Sequence, residues 1–190
     1  MCNYARSGKD PGRRIMNTPI IDFVKEYKKK NTLRLHMPGH KGKSFLGMEG
    51  FDITEIDGAD VLYSANGIIK ESQNNASALF HTAQTLYSCE GSSLSIRAML
   101  YLALLSSGSS KTILATRNSH KVFISAAALL DFEIEWMFSQ SDTNIITCSI
   151  TADELDQKLS SMCALGNKPV AFYVTSPDYL GNIADIKGLS

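Results

Sequence analysis

The sequence lacks the features that would place the chain in several broad classes of protein. Four cysteines are scattered along 190 residues without a Cys-x-x-Cys pair, which argues against a disulfide framework and against a zinc site. Nineteen basic residues balance nineteen acidic residues, so no charged surface for nucleic acid is indicated. The longest apolar run, residues 98–105, falls far short of the roughly 20 residues that span a membrane. We expect a cytoplasmic protein with no metal, nucleic-acid or membrane partner.

The composition is sufficient for a core of about one domain, because 44% of the residues are apolar. Residues 1–15 are polar and aperiodic and contain Gly and Pro, which predicts a disordered leader. Residues 16–66 predict an amino-terminal helix, opened by the Thr18 hydroxyl as cap and by Pro19, and then a long irregular segment. Residues 67–190 predict the first part of an α/β domain.

Strand-like and helix-like segments alternate through the second part of the chain. The patterns predict helices over residues 67–80, 94–105, 120–130 and 151–164, and strands over residues 85–87, 111–115, 133–137 and 170–175. The helix at 94–105 is apolar all round, and the strands at 85–87 and 170–175 are apolar, so all three are expected to be buried. This alternation predicts an α/β fold with a mainly parallel sheet and helices on both of its faces.

The turn at residues 88–93, with the sequence SCEGSS, connects the predicted strand 85–87 to the apolar helix. Backbone N–H groups at the start of a helix point at whatever lies beyond it, and the helix dipole favours an anion there. The turn around Gly91 therefore fits a phosphate group. The alternative is an ordinary buried helix with Ser92 or Ser93 as its N-cap.

Ligands of open parallel sheets bind at the carboxyl ends of the strands. The segments that follow the predicted strands there, residues 90–93, 116–121 and 176–182, are all rich in hydroxyl groups, amides or glycine. Three such segments predict a polar site along one edge of the sheet. His120 opens a helix within this set, either as a functional side chain or as a residue bonded to the backbone.

Several blocks of sequence resemble the Orn/Lys/Arg decarboxylases, which are pyridoxal-phosphate enzymes of the aspartate-aminotransferase fold, also called fold type I. The blocks occur in the order of that family, over about residues 16–190. They are 34–42 (RLHMPGHKG), 60–62 (DVL) with 67–71 (GIIKE), 91–93 (GSS), 117–121 (RNSHK) and 175–186 (TSPDYLGNIADI).

This resemblance implies functions for particular residues. Gly91, Ser92 and Ser93 match the turn that holds the phosphate of pyridoxal 5′-phosphate, and His120 matches the histidine that stacks on the pyridine ring. Ser176 matches a region close to that ring. The resemblance also implies decarboxylation of arginine, lysine or ornithine in polyamine-type metabolism, and a homodimer or higher homo-oligomer. It gives no role to the histidines and lysine of the block 34–42.

The chain departs from the family pattern in two respects. Glu90 stands where relatives carry a small residue or Asn, and a carboxylate beside a phosphate needs a partner, for which Arg97, seven residues further along, is the candidate. The sequence also contains neither the aspartate that pairs with the ring nitrogen nor the Ser-x-His-Lys segment that carries the Schiff-base lysine. We therefore expect a domain that is incomplete at its carboxyl end and inactive alone.

Two alternatives keep the same fold. A non-catalytic remnant or regulatory paralogue would have lost the lysine. An aminotransferase or lyase of fold type I would use the same phosphate turn, but the blocks above favour the decarboxylases.

Overall fold

The computed structural model describes residues 16–108, 110–139 and 145–190. The chain divides into two compact units between Tyr87 and Ser88. The leader predicted at residues 1–15 lies outside the described residues, and the segment boundaries after residues 15 and 66 stay predictions.

The first unit contains α1 (Pro19–Lys30), a 3₁₀ turn (Glu49–Phe51) and α2 (Ile68–Phe80). Pro19 lies at the start of α1 as predicted, but the predicted hydroxyl cap is wrong because the Thr18 side chain makes no capping bond. Instead the backbone N–H and the hydroxyl of Thr18 both donate to the carboxylate of Asp22, each at 3.0 Å. An acidic side chain in the first turn thus accepts hydrogen bonds from the residue at the N-cap position.

Asp60 organises the start of α2 from outside the helix. Its carboxylate accepts the backbone N–H groups of Val61 (2.8 Å), Asn66 (3.2 Å), Gly67 (2.8 Å) and Ile69 (3.0 Å). Burial opposes ionisation of this carboxyl group, but the four N–H donors outweigh that effect and lower its pKa to about 2. A single anion therefore satisfies N–H groups that a helix start leaves without partners.

The second unit contains α3 (Gly91–Ser106), β1 (Thr112–Thr116), α4 (Lys121–Leu130), β2 (Glu133–Met137), α5 (Ala152–Ala164) and β3 (Ala171–Tyr173). The three strands form one sheet in the order β2-β1-β3, and both pairings are parallel. β2 has the predicted bounds, and α5 begins with the predicted capping box between Thr151 and Glu154. The predicted α/β fold with a parallel sheet is confirmed.

Helices cover both faces of the sheet because neighbouring strand residues point to opposite sides. On one side, Ile113 and Ala115 of β1 pack with Leu100 of α3 and Phe123 of α4. On the other side, Leu114 packs with buried side chains that belong to β2 and α5, namely Met137, Leu155 and Met162. Complete burial of a side chain such as Phe123 contributes on the order of 1.5–3 kcal/mol to folding.

Three predictions about buried elements are wrong. Residues 85–87 form no strand, and Leu86 is 69% exposed. Leu100 is the one buried residue of α3, because this helix packs on α4 and the sheet along one face, while Leu102 and Leu105 on another face remain exposed. The strand predicted at 170–175 is shorter and only half-buried, since β3 lies at an edge of the described sheet.

Candidate functional site

The starts of α3 and α4 lie at the same end of the second unit. α4 follows the carboxyl end of β1 directly, whereas α3 reaches the amino end of β1 through a short connection. Because α3 and α4 pack against one another beside β1, their amino termini both face the carboxyl edge of the sheet. This is the edge at which ligands of parallel sheets bind.

The turn that begins α3 leaves its N–H groups available. The N-cap position is Glu90, and no side chain caps the helix, so the expectation that Ser92 or Ser93 is the N-cap is wrong. Gly91 has φ of +62°, where an L side chain is strained, and a Cβ added there would have nothing within 4 Å. Gly91 and Ser92 are exposed and Ser93 is half-buried. An uncapped helix start with open space before it fits an anionic group such as a phosphate.

Glu90 is not an isolated charge beside this turn. Its Oε2 lies 3.7 Å from Nη1 of Arg97, which is the partner predicted for it. The carboxylate side chain is 65% exposed, so this ion pair is weak, but it offsets part of the negative charge next to the anion position.

His120 is the N-cap of α4, and its Nδ1 accepts the backbone N–H of Val122 at 3.2 Å. This bond uses the edge of the imidazole, and the side chain is exposed. The two functions that the sequence left open for His120 are therefore compatible, because stacking on an aromatic ring uses the face of the imidazole.

Ser176 lies in the loop that follows β3. Its Oγ accepts the backbone N–H of Ala184 at 3.0 Å, which fixes the side chain across the loop. A hydroxyl group that accepts one bond in this way still has its own proton to donate.

A carboxylate that was not singled out from the sequence organises the same loop. Asp178 Oδ1 accepts the N–H groups of Leu180 and Asn182 at 2.9 Å, and Oδ2 accepts from the Asn182 amide at 2.9 Å. The Asn182 amide also donates to the Thr147 hydroxyl at 3.3 Å. A hydrogen bond from the Thr147 side chain has the largest effect on the pKa of Asp178. Together with the hydrogen bonds from Asn182, it lowers this pKa to about 2. The sequence signal for this network is Asp followed by Gly-Asn three residues later, a pattern typical of side-chain turns.

A cavity of about 120 Å³ lies between this loop and the carboxyl end of β1. Asn118, Asp178 and Asn182 line it. Asn118 is 6% exposed, and within the described ranges its Oδ1 has no hydrogen-bond partner. Buried acceptors of this kind take water or a ligand group. A separate cavity of about 930 Å³ lies at the opposite ends of the strands, and none of these three residues lines it.

In the first unit, Arg34 gives the block 34–42 a physical role. The side chain is 9% exposed, and its guanidinium donates to the carbonyl oxygens of Glu49 (3.3 Å), Asp52 (3.2 Å) and Gly50 (2.7 Å). It also lies over the Tyr27 ring, 4.8 Å from the centroid. One cation thus connects the extended segment, the 3₁₀ turn and α1.

Gly42 completes this arrangement from the other side of the guanidinium. Its φ is +73°, and an added Cβ would lie 2.8 Å from the Arg34 side chain, so no other residue fits without displacement. The Gly42 N–H donates to Nδ1 of His40 at 2.9 Å. The other ring nitrogen of His40 therefore carries the proton and donates it to Asp52 at 3.1 Å.

The imidazole of His36 also has a hydrogen-bond partner at each ring nitrogen. Its Nδ1 contacts the Met37 carbonyl, which only accepts, so the Tyr27 hydroxyl donates to the other ring nitrogen at 2.9 Å. Lys41 donates to the His36 carbonyl at 2.6 Å. Both histidines of the block therefore use both ring nitrogens inside the first unit, which favours a structural function over acid–base chemistry.

Two features are absent from residues 16–108, 110–139 and 145–190. No helix there is both long and apolar enough to cross a membrane. The same residues include no group of three or more His, Cys, Asp or Glu side chains that could hold a metal ion.

The architecture and the uncapped helix start define a class of α/β domain with a polar edge suited to an anionic ligand. The model of the Orn/Lys/Arg decarboxylase major domain matches residues 18–190. The chain belongs to the Orn/Lys/Arg decarboxylase family, as the amino-terminal part of the major domain. Decarboxylases of this family generally use pyridoxal 5′-phosphate.

Individual relatives agree with this assignment. An arginine decarboxylase of Bacillus cereus is 28% identical over 181 residues, covering 90% of this chain and 38% of that protein. An arginine decarboxylase of Halalkalibacterium halodurans is 29% identical over 183 residues, covering 90% of this chain and 35% of that protein. The chain thus spans somewhat over a third of the length of these relatives.

The fold is similar to that of the constitutive lysine decarboxylase of E. coli. The TM-score is 0.62 at 19% identity, with 86% of this chain and 25% of that chain covered. At this identity the likeness supports the fold alone.

Proposed function

We propose that this chain forms the amino-terminal part of the cofactor domain of a pyridoxal-phosphate decarboxylase that acts on a basic amino acid. The observation that carries the proposal is the uncapped start of α3 at Gly91, in a chain of this family. The substrate is arginine, lysine or ornithine. The arginine decarboxylases among the relatives make arginine the first to assay.

The residues of the chain bind and orient the cofactor. Gly91, Ser92 and Ser93 would hold its phosphate through backbone N–H groups and hydroxyls, His120 would stack on its ring, and Ser176 would lie near that ring. When bound, the cofactor supplies an electron sink for loss of the substrate carboxylate. The half-exposed Arg97 guanidinium limits the repulsion of the phosphate by Glu90.

Binding of inorganic phosphate and of pyridoxal 5′-phosphate, measured by isothermal titration calorimetry on the 190-residue chain, tests the phosphate site. We expect Ser92→Ala with Ser93→Ala to weaken both ligands at least about tenfold, since hydrogen bonds to charged groups contribute about 1.5–3 kcal/mol. The matched control is Ser160→Ala with Ser161→Ala, two exposed serines inside α5, which should change neither affinity. Equal affinities in all three proteins would contradict the assignment.

Two substitutions separate the two functions of His120. His120→Asn keeps a good helix cap and removes the ring, whereas His120→Phe keeps a ring and removes the cap. We expect His120→Asn to weaken pyridoxal 5′-phosphate while inorganic phosphate binds as before. His120→Phe should keep cofactor affinity and lower thermal stability. The opposite pattern would mean that His120 is only a helix cap.

We also propose that the protein assembles as a homodimer or higher homo-oligomer. Large apolar side chains are exposed on α3, including Met99, Leu102 and Leu105, and covering them in an assembly would be favourable. Sedimentation velocity of the purified protein over a range of concentrations tests this proposal, and a monomer at every concentration would contradict it.

A further inference from the structure

The loop after β3 contains a hydrogen-bond network that the proposed function does not use. Asp178 accepts bonds from Leu180 and Asn182, and its own N–H donates to the Asn182 carbonyl at 3.0 Å. The Asn182 amide extends the network to Thr147, a residue far away in sequence. The network therefore closes the loop on itself and fastens it to the segment that precedes α5.

We propose that Asp178 is a positioning residue, which through Asn182 holds the Ser176 hydroxyl as a hydrogen-bond donor toward an acceptor oxygen of the ligand at this edge. The proposal rests on the proposed function for the identity of that ligand. Two points are added to the proposed function. Asp178 is the residue that orients Ser176, and the Ser176 hydroxyl donates its proton toward the ligand.

The Ser176 hydroxyl is assigned as the donor because of the hydrogen bonds around it. Its Oγ accepts from Ala184, and Ala184 follows Asn182 by two residues, so the position of this N–H depends on the closed loop. With one lone pair engaged, the hydroxyl proton is left for a partner outside the loop. The fitting ligand group is an oxygen with negative charge, such as a phenolate or a carboxylate.

The charge of Asp178 matters because its carboxylate accepts the hydrogen bonds that it makes with Thr147, Leu180 and Asn182. The Thr147 hydroxyl, two backbone N–H groups and one amide N–H donate to it, and its pKa of about 2 keeps it ionised at neutral pH. An amide in its place would direct an N–H group at the Asn182 amide, donor against donor. The side chain also lines the cavity into which the unpaired Oδ1 of Asn118 is buried, so a displaced loop would alter that cavity as well.

Hydrogen exchange on the 190-residue chain tests the positioning function without any ligand. We expect Asp178→Asn to speed exchange of the Ala184 amide at least about tenfold, with exchange in β1 unchanged. The double variant Asp178→Asn with Asn182→Asp reverses the polarity of the pair and should restore slow exchange. Unchanged exchange in the single variant, or no rescue by the double variant, would overturn the proposal.

Ligand binding tests whether the effect passes through Ser176. We expect Asp178→Asn and Ser176→Ala to weaken pyridoxal 5′-phosphate by similar factors, with no further loss when they are combined, while inorganic phosphate binds as in the original protein. Losses that multiply in the combined variant would show that Asp178 acts independently of Ser176 and would overturn the proposal. Equal loss of both ligands with a lower melting temperature would mean general destabilisation and would also overturn it.

These results separate the two proposals. If the original protein binds neither ligand, the phosphate site fails, and the Ala184 exchange still decides whether Asp178 positions Ser176. If Ser92→Ala with Ser93→Ala abolishes binding of both ligands while Asp178→Asn changes neither affinity, the phosphate site stands and the function of Asp178 is refuted.

Discussion

Replacing Arg34 by Ala removes the side chain that connects three parts of the first unit. Three carbonyl oxygens lose a charged donor, at distances of 3.3, 3.2 and 2.7 Å. A hydrogen bond to a charged group is worth about 1.5–3 kcal/mol, but the two longer bonds lie at the limit of good geometry. Contact with the Tyr27 ring adds on the order of 1 kcal/mol. We expect Arg34→Ala to lower the free energy of unfolding by about 3–4 kcal/mol.

Arg34→Lys separates charge from geometry. An ammonium group keeps the charge but cannot direct donors at three carbonyls from one plane, so we expect a loss of about 2 kcal/mol. Urea unfolding followed by far-ultraviolet circular dichroism measures both variants. For a unit of this size, each kcal/mol corresponds to a melting-temperature change of roughly 4–8 °C, so a thermal scan provides a second measurement.

The control is Lys30→Ala, since Lys30 forms an exposed ion pair with Glu26 whose side chains are 64% and 66% exposed. Such pairs contribute about 0.2–1 kcal/mol, so this variant should unfold close to the original protein. If Arg34→Ala loses less than about 1 kcal/mol, the three carbonyl bonds do not support the block 34–42, and its structural function is refuted.

Three further predictions follow from local geometry. Gly42→Ala should destabilise the first unit because of its positive φ and its contact with the guanidinium, whereas Gly39→Ala, with nothing within 4 Å, should be neutral or slightly stabilising in the same thermal scan. Thr151→Ala should lower the free energy of unfolding by about 1 kcal/mol by removing the capping box of α5, measured by urea unfolding and refuted by an unchanged midpoint. Because the pKa of Asp178 falls from 3.8 to about 2 on folding, its contribution should be complete above pH 3.8 and lost as the pH falls toward 2. Asp178→Asn should therefore flatten the acid limb of the stability profile, and an identical profile would contradict this.

The sequence predicted those features whose signals lie within a few residues of one another. The capping box of α5 needs only Thr151 and Glu154, and β2 is bounded by its own strand-forming residues. The parallel sheet follows from the alternation of helices and strands, which is a property of the order of segments. The order of the sequence blocks likewise indicates the family without any coordinates.

The tertiary structure decided what depends on partners far away in sequence. α3 is apolar all round, yet most of it stays exposed, because burial depends on which elements pack against it and not on its own composition. Arg34 finds its carbonyl acceptors 15 to 18 residues away, and Asn182 bonds to a threonine 35 residues away. Such bonds leave no periodic pattern in the sequence. Hydrogen bonds require positions within about 3 Å, and only the folded backbone brings these groups that close.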